Sequence, residues 1–218
     1  MSTEDEMRRL NHSDRPMKVM ADIIDGCMVE PCGISSYDMC IADYQFLLHR
    51  LRVVTYGPEY KAMSTCPLCN NVNYQTINLD SMKVIKFNDE LRKYLSFSLP
   101  RSGDRVSLKI QTPRMIDDIA IRAKEMQTQT PGIKQDLEFL VNLMSIIDLV
   151  NGEKKTDFML EDYLRKLPLM DSNYILNMSN HFVKSFGVDT DRDTECSVCG
   201  LAYKSPFRIT SEFYRPSL

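Results

Sequence analysis

Two short motifs hold the residues best suited by type and spacing to do chemistry: Cys66-Pro67-Leu68-Cys69 and Cys196-Ser197-Val198-Cys199-Gly200. A C-x-x-C loop can turn two thiolates toward one point, and two such loops supply four. Four thiolates in tetrahedral array form a closed structural zinc site. Between Cys69 and Cys196 lie 126 residues, far more than the spacer of a zinc finger. The spacing therefore predicts a split zinc ribbon, its halves drawn from either side of a long insertion. Cys66, Cys69, Cys196 and Cys199 are the expected ligands, and a structural Zn2+ is the expected cofactor. Two other readings exist. The four could be unrelated free thiols, or each pair could be a thioredoxin-like redox motif. A redox motif should open a helix after a strand, and neither pair does. Each is followed instead by a turn residue and an alternating, strand-like run: Asn70 to Leu79 after the first, Gly200 to Ile209 after the second.

Other reactive residues form no catalytic set. The chain has no Gly-rich phosphate loop, nucleophile elbow or H-E-x-x-H. Its histidines stand apart at His12, His49 and His181, and His49 reads as a helix-surface or boundary residue. Asp117-Asp118 reads as first-turn charge at a helix start, and Glu161-Asp162 as a solvated face. Asp189, Asp191 and Asp193 lack the Gly and the terminal Glu of an EF-hand loop. Cys27, Cys32 and Cys40 fall outside the proposed site and read as buried or partly buried thiols. A zinc ion closed by four cysteines keeps no open position and cannot activate water without losing a ligand. The expectation is a protein that is not an enzyme.

The surrounding elements must bring the two motifs together. Residues 1–15 are polar with four acidic residues, unlike a signal peptide, and read as a disordered or partner-ordered tail. Met17 to Ile24 repeat at helical spacing. A stronger helix starts near Asp43 and ends at Gly57-Pro58. Residues 59–66 read as a strand entering the first motif, with further strands at Gln75 to Leu79 and Met82 to Phe87. Leu95, Phe97 and Leu99, then Val106, Leu108 and Ile110, alternate around a Pro-Arg-Ser-Gly-Asp turn as a hairpin. From Arg114 the period becomes helical: to about Gln127, then a long helix Leu137 to Leu149 after Pro131-Gly132. A third helix is capped at Thr156 or Asp157, and a last one runs from Pro168 to Gly187. Val188 to Glu195 reads as an acidic loop into the second motif. The chain ends in Phe213-Tyr214-Arg215-Pro216, an aromatic pair expected to pack on something.

The fold class expected is α+β: a small split zinc-ribbon β region formed by N- and C-terminal segments, with an inserted helical bundle. The domain reading is a tail at 1–15, an α/β region with the split ribbon at 16–112 plus 188–218, and a bundle at 113–187. The charges, 27 basic and 30 acidic for a net −3, leave no electrostatic footprint for nucleic acid. No run approaches the roughly 18 apolar residues that span a bilayer. Seven cysteines without a signal favour a reducing compartment and metal over disulfides. Fourteen methionines suit adaptable packing or interface surfaces.

Four segments together resemble the T4-like baseplate hub subunit family of contractile-tailed bacteriophages. They are Ile41 to Arg52 with the turn at Gly57, and the first motif running into Ile77-Asn78-Leu79-Asp80. The third is Phe97 to Gly103 with its following strand. The fourth is Cys196 to Gly200 leading to Phe213 to Leu218. The likeness touches residues 40–112 and 195–218. It implies a non-enzymatic role in building the tail baseplate hub, and it carries over no catalytic residues. The implied partners are other phage tail and baseplate proteins, with neither membrane nor nucleic acid among them and a homo-oligomer compatible. The implied location is the virion tail baseplate, or the host cytoplasm during assembly. The alternative is a zinc-ribbon nucleic-acid-binding module, which would need cations around the motifs. Only Lys61 lies near the first, and Arg192, Lys204 and Arg208 near the second. A third class, an enzyme with a structural zinc, would need a pocket holding perturbed acids.

Overall fold

A computed structural model describes residues 13–30, 32–129 and 137–206. The Pro131-Gly132 break, the terminal aromatic pair and residues 1–12 of the expected tail lie outside them. The fold is mixed helix and strand, with α-helices α1 (Pro16–Cys27), α2 (Ile41–Tyr56), α3 (Pro113–Gln129), α4 (Leu137–Ile146), α5 (Asp157–Lys166) and α6 (Leu169–Lys184). The strands are β1 (Glu59–Thr65), β2 (Val72–Asn78), β3 (Val84–Ile85), β4 (Ser96–Ser98), β5 (Arg105–Leu108), β6 (Ile147–Val150), β7 (Gly187–Val188), β8 (Asp193–Glu195) and β9 (Ala202–Lys204). The described residues divide into two units, 13–44 with 87–185, and 45–86 with 186–206.

The first unit has an apolar core. Antiparallel strands β4, β5 and β6 make a three-stranded sheet. Leu99, Val106, Leu108, Ile147 and Val150 from the sheet region are buried with Leu140, Leu143, Met144 and Ile146 of α4 and with Leu160, Leu164 and Ile175 of α5 and α6. Burying each such side chain contributes about 1.5–3 kcal/mol.

The expected long helix over Leu137 to Leu149 is corrected here. α4 stops at Ile146, and Ile147–Val150 forms a strand opposite β5, with Val150 facing Val106 and Ile147 facing Leu108. Buried helix and buried strand are equally apolar, so periodicity alone could not separate them. Asn151 and Gly152, at φ 54° and 81°, then turn the chain. Thr156 caps α5, its hydroxyl accepting from the Met159 N–H at 3.4 Å.

Two buried carboxylates tie distant segments of this unit. Asp117 reads in sequence as an ordinary first-turn charge, yet it is 2% exposed. Its oxygens accept from the Met17 and Lys18 N–H groups at 3.2 and 3.0 Å and from the Tyr37 hydroxyl at 3.0 Å. Those two N–H groups belong to the first turn of α1, whose own cap residue Arg15 makes no side-chain capping bond. The carboxylate from α3 thus caps α1. Asp171 does the same for the β4–β5 turn, accepting from Arg101 and Ser102 N–H at 2.9 and 2.8 Å. Burial pushes Asp171 up, but those N–H donors outweigh it and hold the carboxyl below its ordinary value.

Cys27 and Cys32 are exposed and Cys40 is half-buried, which corrects the reading of Cys27 and Cys32 as sheltered thiols. Both lie where the chain leaves α1 for a loop. Glu161 and Asp162 behave as read, pairing with Arg165 and Lys166 one turn on at 2.7 and 2.6 Å.

Candidate metal centre

The second unit contains residues 45–56 of α2, the paired strands β3 and β7, and two like hairpins. β1 and β2 pair antiparallel from Glu59↔Asn78 to Thr65↔Val72, with the first cysteine motif as their turn. β8 and β9 pair from Asp193↔Lys204 to Glu195↔Ala202, with the second motif as theirs. The turns match bond for bond. Cys66 N–H donates to Asn71 O at 2.9 Å and Asn70 N–H to Cys66 O at 3.0 Å. Cys196 N–H donates to Leu201 O and Gly200 N–H to Cys196 O, both at 2.9 Å. The residue after each second cysteine takes a left-handed backbone, Asn70 at φ 57° and Gly200 at φ 69°. Glycine and asparagine are the residues that do so at least cost. The sequence thus specifies both turns locally, and neither motif opens a helix, as a redox motif would.

The four sulfurs converge. All lie within 4.8 Å of one another, with Cys66–Cys199 at 3.6 Å and Cys69–Cys196 at 3.5 Å. Four sulfurs about 2.3 Å from one zinc would be about 3.8 Å apart on a tetrahedron. Among the described residues this is the only group of three or more His, Cys, Asp or Glu side chains so placed. An all-sulfur donor set selects zinc or iron–sulfur chemistry over hard cations.

The proton affinities follow the hydrogen bonds. The Cys199 and Val198 N–H groups bring Cys196 down to about 6. The Cys69 N–H, and after it that of Leu68 against burial, lowers Cys66. Against the Asn71 N–H, burial and the Cys196, Cys199 and Cys66 sulfurs push Cys69 up to about 12. Cys199 also rises, despite the Leu201 N–H, through burial and the neighbouring Cys196 and Cys66 sulfurs. Without a metal, the two buried sulfurs give up their protons more readily and the two outer ones hold theirs more tightly. A dication would displace those protons and let all four be thiolates.

Asn73 joins the hairpins, and sequence reasoning missed it. Its Oδ1 accepts from the Ser197 N–H and hydroxyl, both at 3.0 Å. Its Nδ2 donates to Tyr203 Oη at 3.1 Å. Ser64 Oγ lies 2.9 Å from the same Tyr203 oxygen. No sequence signal marked it, because the apolar residues on either side, Val72 and Tyr74, are the exposed ones, and alternation by apolar type would have turned Asn73 outward.

His49 is also corrected: it is 3% exposed, not a boundary residue. Its Nε2 lies 3.0 Å from Leu79 O, so Nε2 carries the proton and donates. Nδ1 has no hydrogen-bond partner. Burial pushes the ring's proton affinity below its ordinary value.

Arg192 and Lys204 beside the second motif are engaged. Arg192 donates to Gln75 Oε1 at 3.2 Å and Lys204 pairs with Asp193 at 3.1 Å. Asp189 Oδ1 accepts from the Asp191 N–H at 3.1 Å. Arg208 lies outside the described residues. No helix among the described residues is long and apolar enough to cross a membrane.

No curated protein and no solved structure matches the chain. The family model described as T4 bacteriophage base plate protein matches residues 4–213. With nearly the whole of its 218 residues covered, the chain belongs to that phage base plate protein family.

Proposed function

We propose that this chain is a non-enzymatic structural or assembly protein of the baseplate hub of a contractile phage tail. In this reading it works through contacts with other tail proteins, in the host cytoplasm during assembly and in the virion baseplate afterwards. The family match over residues 4–213 is the observation that carries this reading. Cys66, Cys69, Cys196 and Cys199 hold one structural Zn2+. The ion supplies the charge that binds four thiolates together, and so fastens the 45–86 segment to the 186–206 segment. The N–H groups of residues 68–69 and 198–199 orient the sulfurs, and Asn73 sets one knuckle against the other.

Two measurements test the reading separately. Labelling the protein in intact particles for electron microscopy should place it at the baseplate axis. A label at the baseplate periphery would remove the hub assignment, and an unlabelled particle would leave an assembly role alone. Elemental analysis of protein purified without added metal should find about one zinc per chain; iron, or no metal, would remove the zinc.

A further inference from the structure

We propose that Asn151 is a deamidation site which the fold guards, and whose conversion to an acid weakens the β4–β5–β6 sheet. This inference stands apart from the proposed function. Asn151-Gly152 is the only Asn-Gly pair in the chain. In such a pair the backbone nitrogen reaches the asparagine side chain most easily, because glycine puts no Cβ in the way. The Gly152 nitrogen loses its proton and adds to Asn151 Cγ. The Cγ–Nδ2 bond then breaks, ammonia leaves and a cyclic imide remains. Water opens the ring at either carbonyl, giving aspartate or isoaspartate, so water is the one co-reactant.

In the folded chain the pair forms the turn that leaves β6. Asn151 and Gly152 sit at φ 54° and 81°, and the Glu153 N–H closes the turn on Val150 O at 3.1 Å, as in a type I′ turn. The side chain of Asn151 is held away from that turn. Its Oδ1 accepts from the Arg105 N–H at 2.9 Å, and its Nδ2 donates to Asp104 Oδ1 at 2.8 Å. Both bonds must break before Cγ can turn to the Gly152 nitrogen. The amide that would leave is also the donor that Asp104 needs. With the Tyr163 hydroxyl, which donates to the other oxygen at 3.0 Å, it holds Asp104 below its ordinary carboxylate value against burial. Deamidation puts a second carboxylate where that donor stood, and like charges in contact repel. Isoaspartate also adds a methylene to the backbone of a two-residue turn. The cost falls on the pairing of β5 with β6, where Val106 and Val150 face each other, both buried.

Peptide mapping of the full chain for isoaspartate tests the guard. Protein is held at mildly alkaline pH, folded in one arm and in guanidinium chloride in the other. Asn151 should convert about tenfold faster or more in the unfolded arm, because the folded arm must first open the turn. Equal rates, or no conversion at Asn151 in either arm, overturn the proposal. Urea unfolding of Asn151→Asp tests the consequence. The folded-to-unfolded ratio of the first unit should fall about tenfold, and a ratio equal to wild type overturns the proposal. Adding Asp104→Asn turns the pair round, with the amide at position 104 and the carboxylate at position 151, and should recover most of the loss. A double variant no more stable than Asn151→Asp alone overturns the proposal as well. Should Asn151→Asp fail to fold, folding of the double variant decides the same point.

Discussion

The two units solve the same problem by different means. The 13–44 and 87–185 unit buries a continuous set of aliphatic side chains from sheet and helices. The 45–86 and 186–206 unit buries few, among them Leu48, Val53, Ala62, Leu79 and Phe186, and two of its fully sheltered residues are Cys66 and Cys196. Two short hairpins cannot cover enough apolar surface to stand alone. Sulfur and polar bonds through Asn73 and Tyr203 take the place of a larger core. The difference teaches that loss of a metal from the proposed site should unmake one unit and spare the other.

The largest effect expected is therefore at the proposed metal site. Cys66→Ser, or a strong chelator, should abolish hydrogen-exchange protection across β1, β2, β8 and β9 while α4 and β5 keep theirs. A uniform loss in both units would break the comparison. Next comes the aliphatic core: Leu143→Ala should cost about 2–5 kcal/mol in urea unfolding of the first unit, with zinc content unchanged. Asp171→Ala should follow at about 1–3 kcal/mol, because it strands the Arg101 and Ser102 N–H groups; the same urea titration reads it. Asn73→Ala should leave zinc bound but loosen the pairing of the hairpins, seen as faster metal release to a chelator.

The smallest effect is a pH dependence. His49 is neutral when folded and takes a proton more readily when unfolded, at about 6.5. Its share of stability is thus complete above that pH and is lost as pH falls below it. Urea midpoints with zinc present should fall more steeply below pH 6.5 in wild type than in His49→Gln. Equal slopes would remove His49 as the cause.

Much of the site was legible before any coordinates. Cysteine spacing, the left-handed turn residues after each pair and the strands beyond them are local signals, and all lie within about ten residues. The hairpin around residues 100–104 and the Thr156 cap were legible for the same reason. Cys27 and Cys32 misled, since the general tendency of thiols to be buried says nothing of a particular loop. Helix α4 was overextended because Ile147 and Leu149 fit a helical stripe and a strand equally well.

By itself the sequence determined which atoms could bind a metal, where the turns fall and which stretches are amphipathic, because backbone preference and periodicity act over a few neighbours. Only the tertiary structure decided that Asp117 caps α1, that Asp171 holds a turn, that His49 is sealed against Leu79 and that Asn73 joins the knuckles. Each of those is a hydrogen bond between groups far apart along the chain, and a buried polar group's role is set by whichever partner the fold delivers to it.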